Sequence, residues 1–134
     1  MQINAQTKIT MLDPDFVAVL NHVLKNTTVK SSDTIAVNFR DSSYNAKSCS
    51  GFHPVEIHVD SNGDILSITD FSYFGSPPMV ELGTELDWNF EQETFRQFDS
   101  FHEIAIGRSL LGLYLSNFIA YYKSGVYQVE VTRL

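Results

Sequence analysis

Two stretches of alternating hydrophobicity, separated by a polar loop, most constrain what this chain can fold into. Apolar residues alternate with polar ones from Thr34 to Arg40 and again from Val55 to Asp60. A period of two is typical of β-strands that bury one face. The loop from Asp41 to Phe52 is too long for a two-residue hairpin, and long loops at a sheet end often carry function. The pattern therefore predicts two strands of one sheet, and the loop between them is a candidate functional site.

Capping signals predict a helix near each end of the chain. Asp13 and Pro14 form an N-cap followed by proline at the first helical position, and helical spacing continues to about Asn26. A second helix is predicted from about Gly107 to Lys123, where apolar residues on nearly every face indicate a largely buried helix. Small residues recur along this helix every four positions: Gly112, Ser116 and Ala120. We expect this stripe to pack against the protein's own sheet or first helix rather than to form a dimer interface.

The remaining segments predict further strands. Asn62 and Gly63 tolerate the positive φ angles of a tight turn, so they predict a hairpin into a strand from Ile65 to Phe74. The alternation in that strand slips out of phase, and a β-bulge near Asp70 would explain the slip. The rest of the chain is assigned as a loop or short turn at 79–85, a strand at 86–90, a helical segment at 91–98 and a final strand at 126–133.

These elements predict a single α+β domain over residues 1–134, with a mostly antiparallel sheet of about four to six strands and helices packed on one face. A chain of this length buries roughly two-thirds of its unfolded surface, so it can form a sizeable core. The residues expected beneath the helices are Val37, Phe39, Val55, Ile57, Ile68, Val129 and Val131.

The charge distribution restricts the partners. The net charge is −7, and nine acidic residues but no Lys or Arg lie between Lys47 and Arg96. Because phosphate backbones are bound through Lys and Arg, direct nucleic-acid binding by this half is disfavoured. A solvated acidic surface is the commoner explanation of such a stretch. The single cysteine, and the absence of a signal peptide or an obvious membrane span, predict a cytoplasmic protein without a membrane association.

The predicted sheet end offers a candidate binding site. Arg40 suits bidentate recognition of a carboxylate or phosphate, and with Asn38, Tyr44 and His53 it could line a pocket for an anion or carbonyl group. The alternative is structural, an ion pair between Arg40 and Glu56 across neighbouring strands. Arg40 and Asp41 would be joined to neighbouring backbone or carboxylates beneath an ordered loop that Tyr44 and Phe52 anchor. The full set of candidate binding residues is Asn38, Arg40, Asp41, Tyr44, His53, Glu56 and Asp70.

No catalytic set, metal site or cofactor site is predicted. Glu56, His58 and Asp60 project from one face of a single strand and are too widely spaced to converge on one ion. Cys49 lacks the spaced partners that would make it a nucleophile. Neither a nucleophile elbow nor a phosphate-binding or dinucleotide-binding glycine motif occurs in the sequence.

Four sequence pieces resemble a family of uncharacterised bacterial proteins that is defined only as a domain of unknown function. The pieces are NFRDSSYNA, GFHPVEI, TDFSYFG and ELDWNFE, and they match a pattern of N-F-R-D-x-S-Y, a glycine-rich loop and H-P-V-E-I. One departure is Cys49-Ser50-Gly51, where the family has a more glycine-rich stretch. The resemblance implies a cytoplasmic bacterial protein, often associated with mobile genetic elements, and it implies no reaction.

A non-enzymatic binding or protein-interaction module is the leading functional hypothesis, and it would act as a monomer or weak homodimer on an unidentified partner. One alternative is a small-molecule-binding enzyme that uses the region of Arg40 and His53. Another is an acidic mimic of nucleic acid, which needs acidic residues along a continuous ridge. Convergence of Arg40, His53, Glu56 and Asp70 on one pocket would favour the enzyme.

Overall fold

A computed structural model of the chain describes residues 1–48 and 50–134. Two helices, α1 and α2, and seven strands, β1 to β7, make up the fold. A short 3₁₀-helix, Ile104–Gly107, leads into α2. The bounds are α1 Pro14–Leu24, β1 Thr34–Arg40, β2 Val55–Asp60, β3 Ile65–Ser76, β4 Met79–Asn89, β5 Thr94–Gln97, β6 Ser100–Glu103, α2 Arg108–Lys123 and β7 Gln128–Arg133.

The strands form one antiparallel sheet in the order β6-β5-β4-β3-β2-β1-β7. Six of them follow one another as a meander, and β7 then pairs with β1. The predicted α+β class and antiparallel sheet are therefore confirmed. The predicted count of four to six strands is too low by at least one.

The extra strands come from the segment after Ser76. The expected loop at 79–85 is the first half of β4, and the expected helical segment at 91–98 is a turn followed by β5. Glu91 to Glu93 favour a helix by composition, but Phe95 pairs with Trp88 across the β4–β5 ladder and is buried. Tertiary pairing overrides local propensity here, because propensity differences are small beside the burial of a large aromatic side chain.

Local signals placed several boundaries correctly. The Asp13 side chain accepts a hydrogen bond from the Asp15 backbone N–H at 2.9 Å, and Pro14 begins α1. Gly63 adopts a φ of +85° in the turn between β2 and β3, which a residue with a Cβ adopts only with strain. Both features are the ones that the sequence predicted.

The helices lie on one face of the sheet. Phe118 of α2 contacts Phe39 of β1 edge-on, with ring centroids 4.8 Å apart, and Phe16 of α1 contacts Phe118 at 5.8 Å. Five of the seven residues expected beneath the helices are buried there: Val37, Phe39, Val55, Ile57 and Ile68. Val129 is 39% exposed and Val131 is half-buried, because β7 is an edge strand that α2 does not cover.

Helix α2 is less buried than its composition predicted. Its core residues are Leu111, Leu115, Phe118 and Ile119, whereas Leu113 is 61% exposed. The small-residue stripe is also exposed and does not pack against the sheet or α1, so that expectation was wrong. In length and apolar composition the segment Ile104–Lys123 would also suffice for a membrane span, a test that core helices pass as well.

Candidate functional site

A β-bulge brings two carboxylates together under α2. Asp70 of β3 lies on the helix-facing side of the sheet, where it pairs with Val55 of β2 and is only 5% exposed. Asp70 is opposite Leu86 of β4, but the next residue, Phe71, is opposite Thr84. Glu85 is therefore the extra residue of the bulge. The predicted bulge near Asp70 exists, and its extra residue belongs to the partner strand, where it turns Glu85 toward Asp70.

His53, at the end of the long loop, lies between these carboxylates. Its Nδ1 is 3.1 Å from Asp70 Oδ2 and 2.9 Å from Glu85 Oε2. A histidine Nδ1 carries at most one proton, so it can donate to both carboxylates only through a shared, bifurcated hydrogen bond. We call His53, Asp70 and Glu85 the triad.

Two tyrosines hold the triad in place. The Tyr114 hydroxyl of α2 donates to Asp70 Oδ1 at 2.9 Å. The Tyr44 ring lies against the His53 ring, with centroids 4.9 Å apart. Tyr44 is itself fixed, because its hydroxyl oxygen accepts a hydrogen bond from the Tyr73 backbone N–H and lies 3.1 Å from Ser72 Oγ. The triad is thus positioned by the loop, the sheet and α2 together.

The electrostatics of the triad follow from this packing. Hydrogen bonding to Asp70 raises the pKa of His53, and the negative charges of Asp70 and Glu85 add to the effect. Burial raises the pKa of Glu85, as does its proximity to Asp70. Burial also raises the pKa of Tyr114 well above its usual value, with the Asp70 charge contributing. The tyrosine therefore stays a hydrogen-bond donor to the carboxylate at neutral pH.

A cavity of about 430 Å³ opens onto the triad. Aromatic side chains from the loop, α2 and the segment before β7 form most of its wall: Phe52, Tyr114, Phe118, Tyr121 and Tyr127. Asn117, Gly51, His53 and Asp70 complete the lining. Concave, mostly apolar cavities with a few convergent polar groups are the usual form of small-ligand sites. We call this space the aromatic cavity.

The loop that forms one wall of the cavity is tied down as predicted. Asp41 accepts hydrogen bonds from the backbone N–H of Ser43 at 3.0 Å and of Phe52 at 2.9 Å. The Phe52 ring stacks on Tyr121 with centroids 4.1 Å apart. Gly51 adopts a φ of +104°, and a Cβ there would lie 2.6 Å from Ser43 Oγ. The loop conformation therefore requires glycine at this position.

The Asp41 contacts predict an acid-sensitive loop. Hydrogen bonding to the Phe52 N–H and the Ser43 hydroxyl lowers the pKa of Asp41 below its ordinary 3.8. A lowered folded-state pKa means that these contacts stabilise the loop above pH 3.8 and are lost as the pH falls through the folded-state pKa. In NMR spectra recorded during an acid titration, we expect the Phe52 amide to shift with a midpoint below 3.8.

Asp41→Asn is the matched control for this titration. Its Phe52 amide should not titrate in the same acid range, while circular dichroism shows that both proteins remain folded. A midpoint at or above 3.8 in the unsubstituted chain would contradict the assigned contacts.

The structure divides the predicted binding residues between two places. His53 and Asp70 line the aromatic cavity, Tyr44 packs on the His53 ring, and Asp41 anchors the loop. Asn38, Arg40 and Glu56 lie on the opposite sheet face, where Asn38 and Arg40 line a separate cavity with Gln128, Val129 and Glu130. Strand alternation explains the division, because Phe39 between Asn38 and Arg40 points to the helices. The shared pocket expected for Arg40 and His53 is not formed.

The predicted pair between Arg40 and Glu56 is also not formed. Strands β1 and β2 are neighbours, but Glu56 lies opposite Asn38. Glu56 instead approaches His58, with Oε1 3.6 Å from Nε2. Within residues 1–48 and 50–134, the Arg40 side chain makes no hydrogen bond or ion pair, so the predicted anchoring of Arg40 beneath the loop is not seen. Cys49 lies outside the described residues.

Sequence reasoning missed Glu85 and the side chains from α2. Glu85 was assigned to a loop, which hid its relation to Asp70. The helix residues Tyr114, Asn117, Phe118 and Tyr121 follow the i, i+3, i+4, i+7 spacing of one helix face. Hydroxyl and amide groups on an otherwise apolar face were the available signal, because buried polar groups require partners.

Comparisons with known proteins agree with this fold. Residues 14–132 match the family model described as "Protein of unknown function (DUF2787)". No curated protein sequence is significantly similar to the chain.

Two solved structures from Vibrio cholerae are similar over nearly their whole length. One is a conserved hypothetical protein from the pathogenicity island VPI-2, 33% identical, with a TM-score of 0.74 and coverage of 90% of this chain and 94% of that one. Its description states that it shares structural homology with the human P32 protein. The other is a hypothetical protein from the VSP-II island, 30% identical, with a TM-score of 0.76 and coverage of 90% and 93%. The chain therefore belongs to the DUF2787 family of proteins of unknown function.

Proposed function

We propose that this protein is a non-enzymatic binding module that takes a positively charged group at the triad, with the aromatic cavity around it. The observation that carries the proposal is the pair of carboxylates in the triad, of which Asp70 lines the cavity. Asp70 is 5% exposed and Glu85 is half-buried, and His53 is the only ion-pair partner of either one among the described residues.

Electrostatics favours a cation at this position. Two ionised carboxylates in a partly desolvated site repel each other. Burial raises the pKa of Glu85, and its hydrogen bond to Asp70 and the negative charge of Asp70 raise it further. No described Lys or Arg side chain forms an ion pair with either carboxylate. A bound cation would offset the repulsion, and a net charge of −7 would attract it.

The cavity wall suits the same kind of ligand. Aromatic faces attract cations, and the attraction grows when the ligand is withdrawn from water. Phe52, Tyr121 and Tyr127 offer such faces beside Asp70. An organic ammonium ion or a metal ion would each satisfy the carboxylates, so the shared requirement is positive charge.

The two alternatives have less support. An enzyme built on Arg40 and His53 needs these residues in one pocket, and they line different cavities. A nucleic-acid mimic needs its acidic residues along one ridge. Here Asp70 and Glu85 face the helices, Glu56 lies on the opposite sheet face and Asp60 lies at a turn.

The proposal is also compatible with the cellular location, oligomeric state and genetic context that the sequence predicted. A cytoplasmic bacterial protein that acts as a monomer or weak homodimer is consistent with a single cysteine. Both solved relatives come from pathogenicity islands, which agrees with the mobile-element association that the family resemblance implies. The partner that fits this proposal is a protein that presents a positively charged group to the aromatic cavity.

A binding titration with two classes of cation tests the proposal. Isotope-labelled protein is titrated with benzylammonium and tetramethylammonium ions, and separately with Mg²⁺, Mn²⁺ and Zn²⁺. We expect at least one class to shift the amide signals of Tyr114, Asn117 and His53. Asp70→Asn preserves the side-chain volume and removes the charge, so it should weaken that binding at least about tenfold, which corresponds to about 1.4 kcal/mol.

Arg40→Ala is the matched control, because it changes a charge on the opposite sheet face. It should leave the affinity unchanged. The proposal fails if neither class of cation perturbs the cavity, or if Asp70→Asn binds as well as the unsubstituted protein.

A further inference from the structure

The three side chains of the triad place their ligand atoms at coordination spacing. His53 Nδ1, a carboxylate oxygen of Asp70 and one of Glu85 all lie within 4.8 Å of one another. The two nitrogen-to-oxygen distances are 3.1 Å and 2.9 Å. Nitrogen and carboxylate ligands lie about 2.0–2.2 Å from a bound Zn²⁺, so two of them are about 3.0 Å apart at right angles and about 3.4 Å apart at the tetrahedral angle that Zn²⁺ prefers. The triad atoms therefore already stand near the corners of one coordination sphere.

A hydrogen-bonded triad without an ion explains this arrangement less well. Both carboxylates approach the same nitrogen, which has one proton to offer. When both carboxylates are ionised, one imidazole proton shared between them leaves the pair with a net negative charge in a half-buried site. An ion between the three groups would bond to all of them and offset both negative charges.

Neighbouring groups hold the three side chains of the triad in fixed orientations, as they do the ligands of known metal sites. Tyr114 donates to Asp70 Oδ1 and leaves Oδ2 directed at His53. The β4 bulge directs Glu85, and packing against the Tyr44 ring orients the His53 ring. Such outer contacts orient metal ligands and raise affinity in known metal sites.

The aromatic cavity gives the triad an entry path and room for further ligands. Three protein ligands occupy only part of a four- to six-coordinate sphere. His53 and Asp70 line the cavity, so the remaining positions would face about 430 Å³ of space. Water or a donor atom of a larger ligand can complete the coordination from there.

We propose that the cation bound at the triad is a divalent transition-metal ion, coordinated by His53, Asp70 and Glu85 with open positions toward the aromatic cavity. This inference rests on the proposed function and names its ligand class. One imidazole with two carboxylates suits Mn²⁺, Co²⁺ or Zn²⁺, whereas Mg²⁺ and Ca²⁺ prefer sets made of oxygen alone.

Metal titration of the whole chain after treatment with a chelator tests this inference. Isothermal titration with Zn²⁺ and visible absorption with Co²⁺ should give one ion per chain. His53→Gln and Glu85→Gln should each weaken binding at least tenfold while circular dichroism shows a folded protein. Mn²⁺ should broaden the amide signals of His53 and Asp70 and leave those of Asn38 and Arg40 sharp, which locates the ion without any substitution.

His58→Gln is the matched control, because His58 forms a half-buried histidine–carboxylate pair with Glu56 on the other sheet face. It should bind the metal as the unsubstituted chain does. Loss of binding in this variant, with retention in His53→Gln, would overturn the inference. If Zn²⁺, Co²⁺ and Mn²⁺ all fail to bind while benzylammonium still binds in a manner that depends on Asp70, the metal-site inference is overturned and the proposed function stands. Failure of both classes of cation would overturn the proposed function as well.

Discussion

Trp88→Ala should lower the free energy of unfolding by about 3–5 kcal/mol, the range for truncating a buried Trp or Phe. Trp88 has no exposed surface. Its ring stacks on Phe95 at 5.4 Å and lies 5.1 Å from the Tyr114 ring, while its Nε1–H donates to the Gly107 carbonyl oxygen at 2.9 Å. The substitution would leave a cavity and remove the indole hydrogen bond to the Gly107 carbonyl oxygen at the start of α2. Urea unfolding followed by circular dichroism measures the loss.

Leu113→Ala is the matched control for this change. Leu113 is a large apolar residue that is 61% exposed on α2, so truncating it should change the free energy of unfolding by no more than about 0.5 kcal/mol. Similar losses in the two variants, or a loss below about 1 kcal/mol for Trp88→Ala, would contradict the assigned core.

Tyr114→Phe should destabilise the protein by about 1–3 kcal/mol at neutral pH, the cost of removing the partner of a buried polar group. The lost hydroxyl donates to Asp70, whose carboxylate is almost fully buried. The phenyl ring of the variant still fills the space between Trp88 and the cavity, so little packing is lost. Urea unfolding of both proteins at pH 7 gives the difference.

Tyr127→Phe provides the comparison from the same cavity. The Tyr127 ring packs on Phe39 and Phe118, and its hydroxyl makes no hydrogen bond to any other described residue. Removing that hydroxyl should therefore leave stability within about 0.5 kcal/mol. Equal losses in the two variants would show that the bond between Tyr114 and Asp70 does not stabilise the fold.

Much of the fold follows from local signals. Asp13 and Pro14 predicted the start of α1, the alternation around Phe39 and Ile57 predicted β1 and β2, and Gly63 predicted the turn into β3. Each of these features depends on residues that are close in sequence. The strand predicted at 86–90 is the second half of β4. The segments 79–85 and 91–98 were assigned wrongly, because their strands are stabilised by pairing with neighbouring strands and by the burial of Trp88 and Phe95. Those contacts have no local signature.

The candidate site shows the same limit. The sequence alone predicted the anchored loop, the bulge near Asp70, two residues that line the cavity, His53 and Asp70, and Tyr44, which packs on His53. It could not decide which sheet face the loop returns to. The loop after Arg40 crosses to the helix side, so His53 meets the buried carboxylate and the polar strand faces point away.

The sequence by itself determined the local elements: the helix cap, the alternating strands, the tight turn and the acidic character of the middle of the chain. Only the tertiary structure decided the strand order, the exposure of the small-residue stripe on α2 and the composition of the triad. His53, Asp70 and Glu85 lie on a loop and two strands, and Tyr114 lies 44 positions beyond Asp70 on α2. Contacts between such distant residues form through chain folding and packing, which periodicity and local propensity do not encode.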